Sequence, residues 1–157
     1  MRLDVFLLAD HAANAEDKLY VNGGGVTSLT VPIVPFQVPG LAVILRYVVD
    51  DGDDFGPHEI GVQIETPSGV KLLPDGPVGE FDLEDNPSAA PGEERAFQMV
   101  LNFGGIPILE GGIHQITTTL DGEVMREMNL PVTVESIAPP PNRAERRRQQ
   151  RAKPGAR

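Results

Sequence analysis

The 157-residue chain has no cysteine and no tryptophan, and its aromatics are limited to two tyrosines and six phenylalanines. Without cysteine there is no disulfide, no thiolate metal site and no cysteine nucleophile. Such a chain must be held by its core alone, and a domain of roughly 135 residues buries about two-thirds of the surface its unfolded chain exposes, which suffices. The absence also suits a reducing cytoplasm, the expected location, with a virion as the alternative. No run approaches the ~20 apolar residues of a membrane-spanning helix. Met1 to Asp10 is apolar but holds Asp4 and leads straight into alternating sequence, so it reads as a strand rather than a leader.

Motifs for covalent or phosphate chemistry are missing too. None of the four serines sits in a Gly-x-Ser-x-Gly elbow. Gly23-Gly24-Gly25 lies between two strand-like segments, so no helix N-terminus follows to bind an anion. The residues point away from an enzyme and name no cofactor.

Glycine and proline are abundant instead. Gly 17 and Pro 15 make up about a fifth of the chain, against roughly 12 per cent on average. They recur at intervals, which implies many turns. Between them, apolar residues recur at every second position. Leu3 to Ala9 and Lys18 to Asn22 read as strands. Val26 to Val34 reads as an edge strand, with Leu29, Val31 and Ile33 on one face and Pro32, Pro35 and Pro39 barring a central place. Leu41 to Val49 is the most hydrophobic stretch and reads as a central strand. His58 to Glu65 alternates strictly, with Ile60, Val62 and Ile64 facing in. Pro67-Ser68-Gly69 turns into a return strand over Val70 to Leu73. Glu80 to Leu83 is a short strand, and Arg95 to Phe103 places Phe97, Met99, Leu101 and Phe103 on one face. Ile113 to Leu120 and Glu123 to Val134 flank Asp121-Gly122, a strong hairpin signal. The pattern predicts an all-β fold of about nine or ten strands, an antiparallel β-sandwich of Ig-like or C2-like type over 1–137, with a closed barrel as rival.

Two sequence stretches carry a resemblance. One runs from Asp4-Val5-Phe6-Leu7-Leu8-Ala9-Asp10 to Lys18-Leu19-Tyr20-Val21-Asn22-Gly23-Gly24-Gly25. The other runs from Gly112-Ile113-His114-Gln115-Ile116 through Asp121-Gly122 to Pro131-Val132-Thr133-Val134. Together they resemble a family of uncharacterised bacterial, phage-associated β-sandwich proteins, over about residues 3–134. The resemblance implies a β-sandwich and no known activity.

Charge is distributed unevenly. From Asn142 to Arg157 seven bases and one acid, Glu145, give +6; residues 1–141 then hold 13 − 7 = 6 bases and 23 − 1 = 22 acids, giving −16. An acidic body repels phosphate and anionic lipid, so any nucleic-acid contact falls to the tail. Ala138-Pro139-Pro140-Pro141 is a stiff spacer. Asn142 with Glu145 resembles a capping box, but the following segment lacks an apolar stripe, so it should become helical only on an anionic surface. Arg143, Arg146, Arg147, Arg148, Arg151 and Lys153 are the expected partner-binding residues.

Two further groups could bind metal. Asp50, Asp51, Asp53 and Asp54 lie in one loop and Asp82, Glu84 and Asp85 in another; clustered carboxylates can hold Ca²⁺, but Gly52 is misplaced for a helix-loop-helix site. His11, His58 and His114 have no spacing that would gather them round zinc, and His114 reads as a packing residue. The sequence therefore predicts a non-enzymatic protein-binding or assembly module. Its tail would contact an acidic partner or a neighbouring subunit, with no membrane role. The alternatives are a phage structural protein, a nucleic-acid-binding accessory protein acting through the tail, and a Ca²⁺-dependent module or metal-dependent enzyme using the acidic loops.

Overall fold

In a computed structural model the described residues are 1–16, 18–49, 53, 55–83 and 95–135. They form ten strands and no helix: β1 (Arg2–Ala9), β2 (His11–Ala15), β3 (Lys18–Asn22), β4 (Leu29–Val31), β5 (Phe36–Val49), β6 (Gly56–Glu65), β7 (Gly79–Leu83), β8 (Arg95–Ile108), β9 (Gly112–Leu120) and β10 (Glu123–Val134). Three sheets result, ordered β1-β5-β8, β4-β10-β9-β6-β7 and β2-β3. All pairings are antiparallel except β4 with β10. The sheets stay separate among the described residues and do not close into one barrel.

Alternation explains how one core forms between the two larger sheets. Leu41, Val43, Leu45 and Tyr47 of β5 join Ile60, Val62 and Ile64 of β6, Ile116 and Leu120 of β9, and Leu130 and Val132 of β10 in a single buried cluster. In β1 the inward set changes parity, from Leu3 to Phe6 and Leu8, because the register shifts between Leu3 and Val5. Such a bulge adds one residue to one strand and turns the chain over. The extra residue is Asp4, which stays in solvent and pairs with Arg2 and Arg46.

The continuous apolar run of β5 has a second cause: its other face is covered as well. Ala42 and Ile44 pack with Ala9 and Ala12 under the β2–β3 hairpin, with Leu7, Leu19 and Val100 around them. A strand buried on both faces loses its polar alternation. The hairpin is pinned by a side chain that imitates a ladder. Asn102 Nδ2 donates to Ala12 O at 2.9 Å, and Asn102 Oδ1 accepts from Ala12 N at 3.1 Å. Asn14 Nδ2 donates to Gln98 O at 3.1 Å.

Several elements depart from the sequence reading. The edge strand is only Leu29–Val31, and Ile33 is 61% exposed rather than facing in with Val31. Pro32 ends it. β5 starts earlier than expected, at Phe36, and runs through Pro39; the irregularity falls opposite, where Gly105 takes φ 67° between the pairs Val38–Ile106 and Gly40–Gly104. Val70 to Leu73 is not a strand. That segment is strapped to β6 by Leu72 N donating to Ile64 O at 2.8 Å and by the Gln63 side chain, which spans Leu73 N and O; further on, Val78 N donates to Ile60 O at 2.8 Å. No local signal marks β2: His-Ala-Ala-Asn-Ala has no β-branched residue and no Phe, Tyr or Trp, and its pairing is tertiary. The spacer and tail, 138–157, lie outside the described residues.

Candidate functional site

The strict alternation of β6 places His58 inward at the rim of the core, one step before Ile60. The β9–β10 turn supplies its partner. Asp121 and Gly122 take φ 51° and 83°, the left-handed pair that a two-residue hairpin of the favoured twist requires. This conformation aims the Asp121 carboxylate back at β6. His58 Nδ1 donates to Asp121 Oδ2 at 2.7 Å, and Glu59 N donates to Asp121 Oδ1 at 2.8 Å. Asp121 N donates in turn to Glu59 O at 2.8 Å. The Glu59 N–H and then His58 hold the Asp121 carboxyl below its usual range.

Aromatic rings continue inward from this pair. His58 stacks on Phe81 of β7 at 5.2 Å, Phe81 meets Phe97 of β8 at 4.0 Å, and Phe97 stacks on Tyr47 of β5 at 5.2 Å. The chain of rings joins both sheets across the side where β7 and β8 meet. Burial pushes the Tyr47 phenol up, partly offset by neighbouring Thr118. Both hydroxyls are fully buried and make no hydrogen bond among the described residues. The arrangement is an imidazole–carboxylate tie between a turn and a strand, locked by rings.

Two of the expected carboxylate metal candidates fall among the described residues. Asp53 is ion-paired with the amino group of Met1. Asp82 is exposed on β7. Asp50, Asp51, Asp54, Glu84 and Asp85 lie outside the described residues. Gly56 pairs with Leu83, so β6 begins beside the end of β7. Among the described residues no three His, Asp or Glu side chains form a metal-holding group. His11 is exposed on β2, His58 is at the rim, and His114 is wholly buried, its ring among Leu29, Val38, Leu41, Ile64 and Leu130. Among the described residues neither His114 nitrogen has a hydrogen-bond partner. The tail residues Arg143, Arg146, Arg147, Arg148, Arg151 and Lys153 lie outside the described residues.

Register also defines the outer face of the five-stranded sheet. Glu59 of β6 stands directly opposite Glu80 of β7, and Asp82 follows two residues on. Thr117 is flanked by Gln63 and Glu127. Beside them a groove of ≈ 270 Å³ runs between the sheet and the 71–77 segment, where Lys71 Nζ donates to Asp75 Oδ1 at 2.6 Å. Gly61 keeps the groove floor low: a Cβ there would collide with Thr119 Oγ1.

Comparison with known families matches residues 4–133 to a family of unknown function, DUF6941, and the chain belongs to it. Comparison with curated proteins returns no match.

Proposed function

We propose that this member of DUF6941 is a non-catalytic binding and assembly module. An Ig-like or C2-like β-sandwich acts as scaffold, and its basic C-terminal arm contacts an acidic protein surface, on a partner or on a neighbouring subunit. The observation that carries this reading is the separation of charge, −16 over residues 1–141 against +6 over 142–157. Opposite fields of this size steer encounters and select partners. The single core shared by the two larger sheets supports the sandwich.

The test uses the full chain and a variant in which Arg143, Arg146, Arg147, Arg148, Arg151 and Lys153 are all changed to Gln. Light scattering is measured in salt of about 50 mM and about 500 mM, where screening differs severalfold. The natural chain should associate at low salt and dissociate at high salt, and the variant should remain monomeric throughout. A variant that associates like the natural chain sinks the reading. Retention on duplex DNA with a log–log salt slope of about −6 would assign the arm to phosphates instead.

A further inference from the structure

We propose that His114 is an acid-sensitive latch: a proton on its ring opens β4, the short strand that covers it. The inference concerns the core and is independent of what the tail contacts.

The ring is wholly buried, and among the described residues neither nitrogen has a partner. A neutral imidazole carries one donor and one acceptor. Every element packed round it offers hydrocarbon: Leu29 from β4, Leu41 from β5, Ile64 from β6, Ile106 from β8 and Leu130 from β10. The cavity beside the ring is ≈ 10 Å³. A water needs at least about that volume and two to four polar partners, and the lining side chains are aliphatic apart from the ring itself. A packing role alone would be filled better by leucine, which has no polar atoms to desolvate. A buried polar group left unsatisfied calls for a physical reason.

Protonation changes the balance. An imidazolium has two donors and no acceptor, and an ion in such surroundings costs far more than a neutral polar group. No charged or titratable side chain lines the cavity from these five strands. The carboxylate that feels the ring is Glu110, in the turn before β9, and it is engaged elsewhere. Ser68 N donates to Glu110 Oε1 at 3.0 Å, and Ser68 Oγ donates to the same oxygen. Ser68 and Thr66 hold that carboxyl below its usual range, with a smaller contribution from His114. The protonated ring is therefore stable only where it reaches water or Glu110, outside the cavity.

Of the elements round the ring, β4 gives way most easily. Leu29 is the only residue of the lining that is not itself buried. Its strand has three residues, lies at the border of the sheet and, among the described residues, pairs only with β10. Pro32 follows with no N–H to extend the ladder. Elements with few bonds and few buried contacts open first. Val31 O also accepts from Glu135 N at 2.8 Å, so opening β4 loosens the root of the C-terminal segment.

The closed form excludes the proton, and the open form accepts it near the ordinary histidine value of about 6.5. The open form thus binds more protons, and the closed form loses ground as pH falls. The experiment compares full chains: the natural one, His114→Leu, His114→Met, and His11→Gln as a control at an exposed histidine. Hydrogen exchange read by mass spectrometry at pH about 7.5 and about 5.5, corrected for intrinsic rates, reports the opening equilibrium of each segment. In the natural chain and the control, opening over residues 26–33 and 112–116 should rise about tenfold between the two conditions, while β5 and β6 change by less than about twofold. In His114→Leu and His114→Met the rise should be absent. Glu110 and Asp121 titrate below this window, and they and His58 are common to all four chains. A rise that survives in either His114 variant overturns the proposal, as does a natural chain with no rise. Equal acceleration of β5 and β6 overturns it too, because the whole domain then opens and β4 is no latch.

Discussion

His58 and Asp121 show how a single contact can be hidden in a sequence and still be decisive. Sixty-three positions separate them, and no motif joins the two. The sequence held two usable signals: His58 occupies an inward place in a strict alternation, and Asp121 is the first residue of a turn whose left-handed backbone aims its carboxylate back over the sheet. Changing Asp121 to Asn keeps the turn, because Asn-Gly suits the same geometry, and removes only the charge-assisted bonds. The carboxyl titrates below its usual range in the folded state. Its stabilisation is therefore complete above the unfolded value near 3.9 and is lost as pH falls through the lower folded value. Urea denaturation should show the natural chain ahead of Asp121→Asn by about 1 kcal/mol at pH 6, with the gap closing as pH drops below about 3.5.

His114 makes the opposite case. Reading it as a packing residue fits its burial. Its nitrogens, however, are desolvated with no hydrogen bond in return, which is costly. Replacement by Leu should raise stability by about 1–2 kcal/mol, read as an increase in the urea midpoint with an unchanged slope.

Among elements, those with their own local chemistry were readable and those made by distant partners were not. The Asp121-Gly122 hairpin, the central β5 and the alternating β6 carry turn residues, hydrophobic density or period two, and each was found close to its place. β2 carries none of these. It is a strand because β3 pairs with it and Asn102 grips Ala12 from ninety positions away. Asn102→Ala should release that grip. We expect amide exchange in residues 11–22 to accelerate markedly while the core strands keep their protection, with a global loss of about 1–2 kcal/mol. The return strand over Val70 to Leu73 failed because Gln63 and the backbone of β6 satisfy that segment irregularly, leaving no regular ladder. At the β6–β7 border, Glu80→Lys turns a like-charge pair into an opposite one. It should raise the melting temperature slightly, corresponding to about 0.5 kcal/mol, and the gain should fade in high salt.

For the whole molecule, the all-β character was legible because period-two burial and regular turns are global properties of the chain. The family assignment to DUF6941 over residues 4–133 agrees with the motifs at the two ends of the same region. The candidate site was less legible, because a face is assembled by register and register is not written in any one strand. Glu59 and Glu80 are twenty-one positions apart and become neighbours only when β6 and β7 align. The charge asymmetry, by contrast, needs no structure to be seen.

The borders of the five-stranded sheet constrain how copies of the molecule can meet. β4 is three residues long and stopped by Pro32, and β7 is five residues long with Glu80 and Asp82 projecting from it. Neither offers the long, flat, uncharged template on which strands add without limit. Contacts made through this sheet would have to be side chain to side chain, so they would be finite in stoichiometry and reversible by salt. In infrared spectra, concentrated solutions should then keep the amide I profile of the dilute protein instead of acquiring the low-frequency band of fibrils.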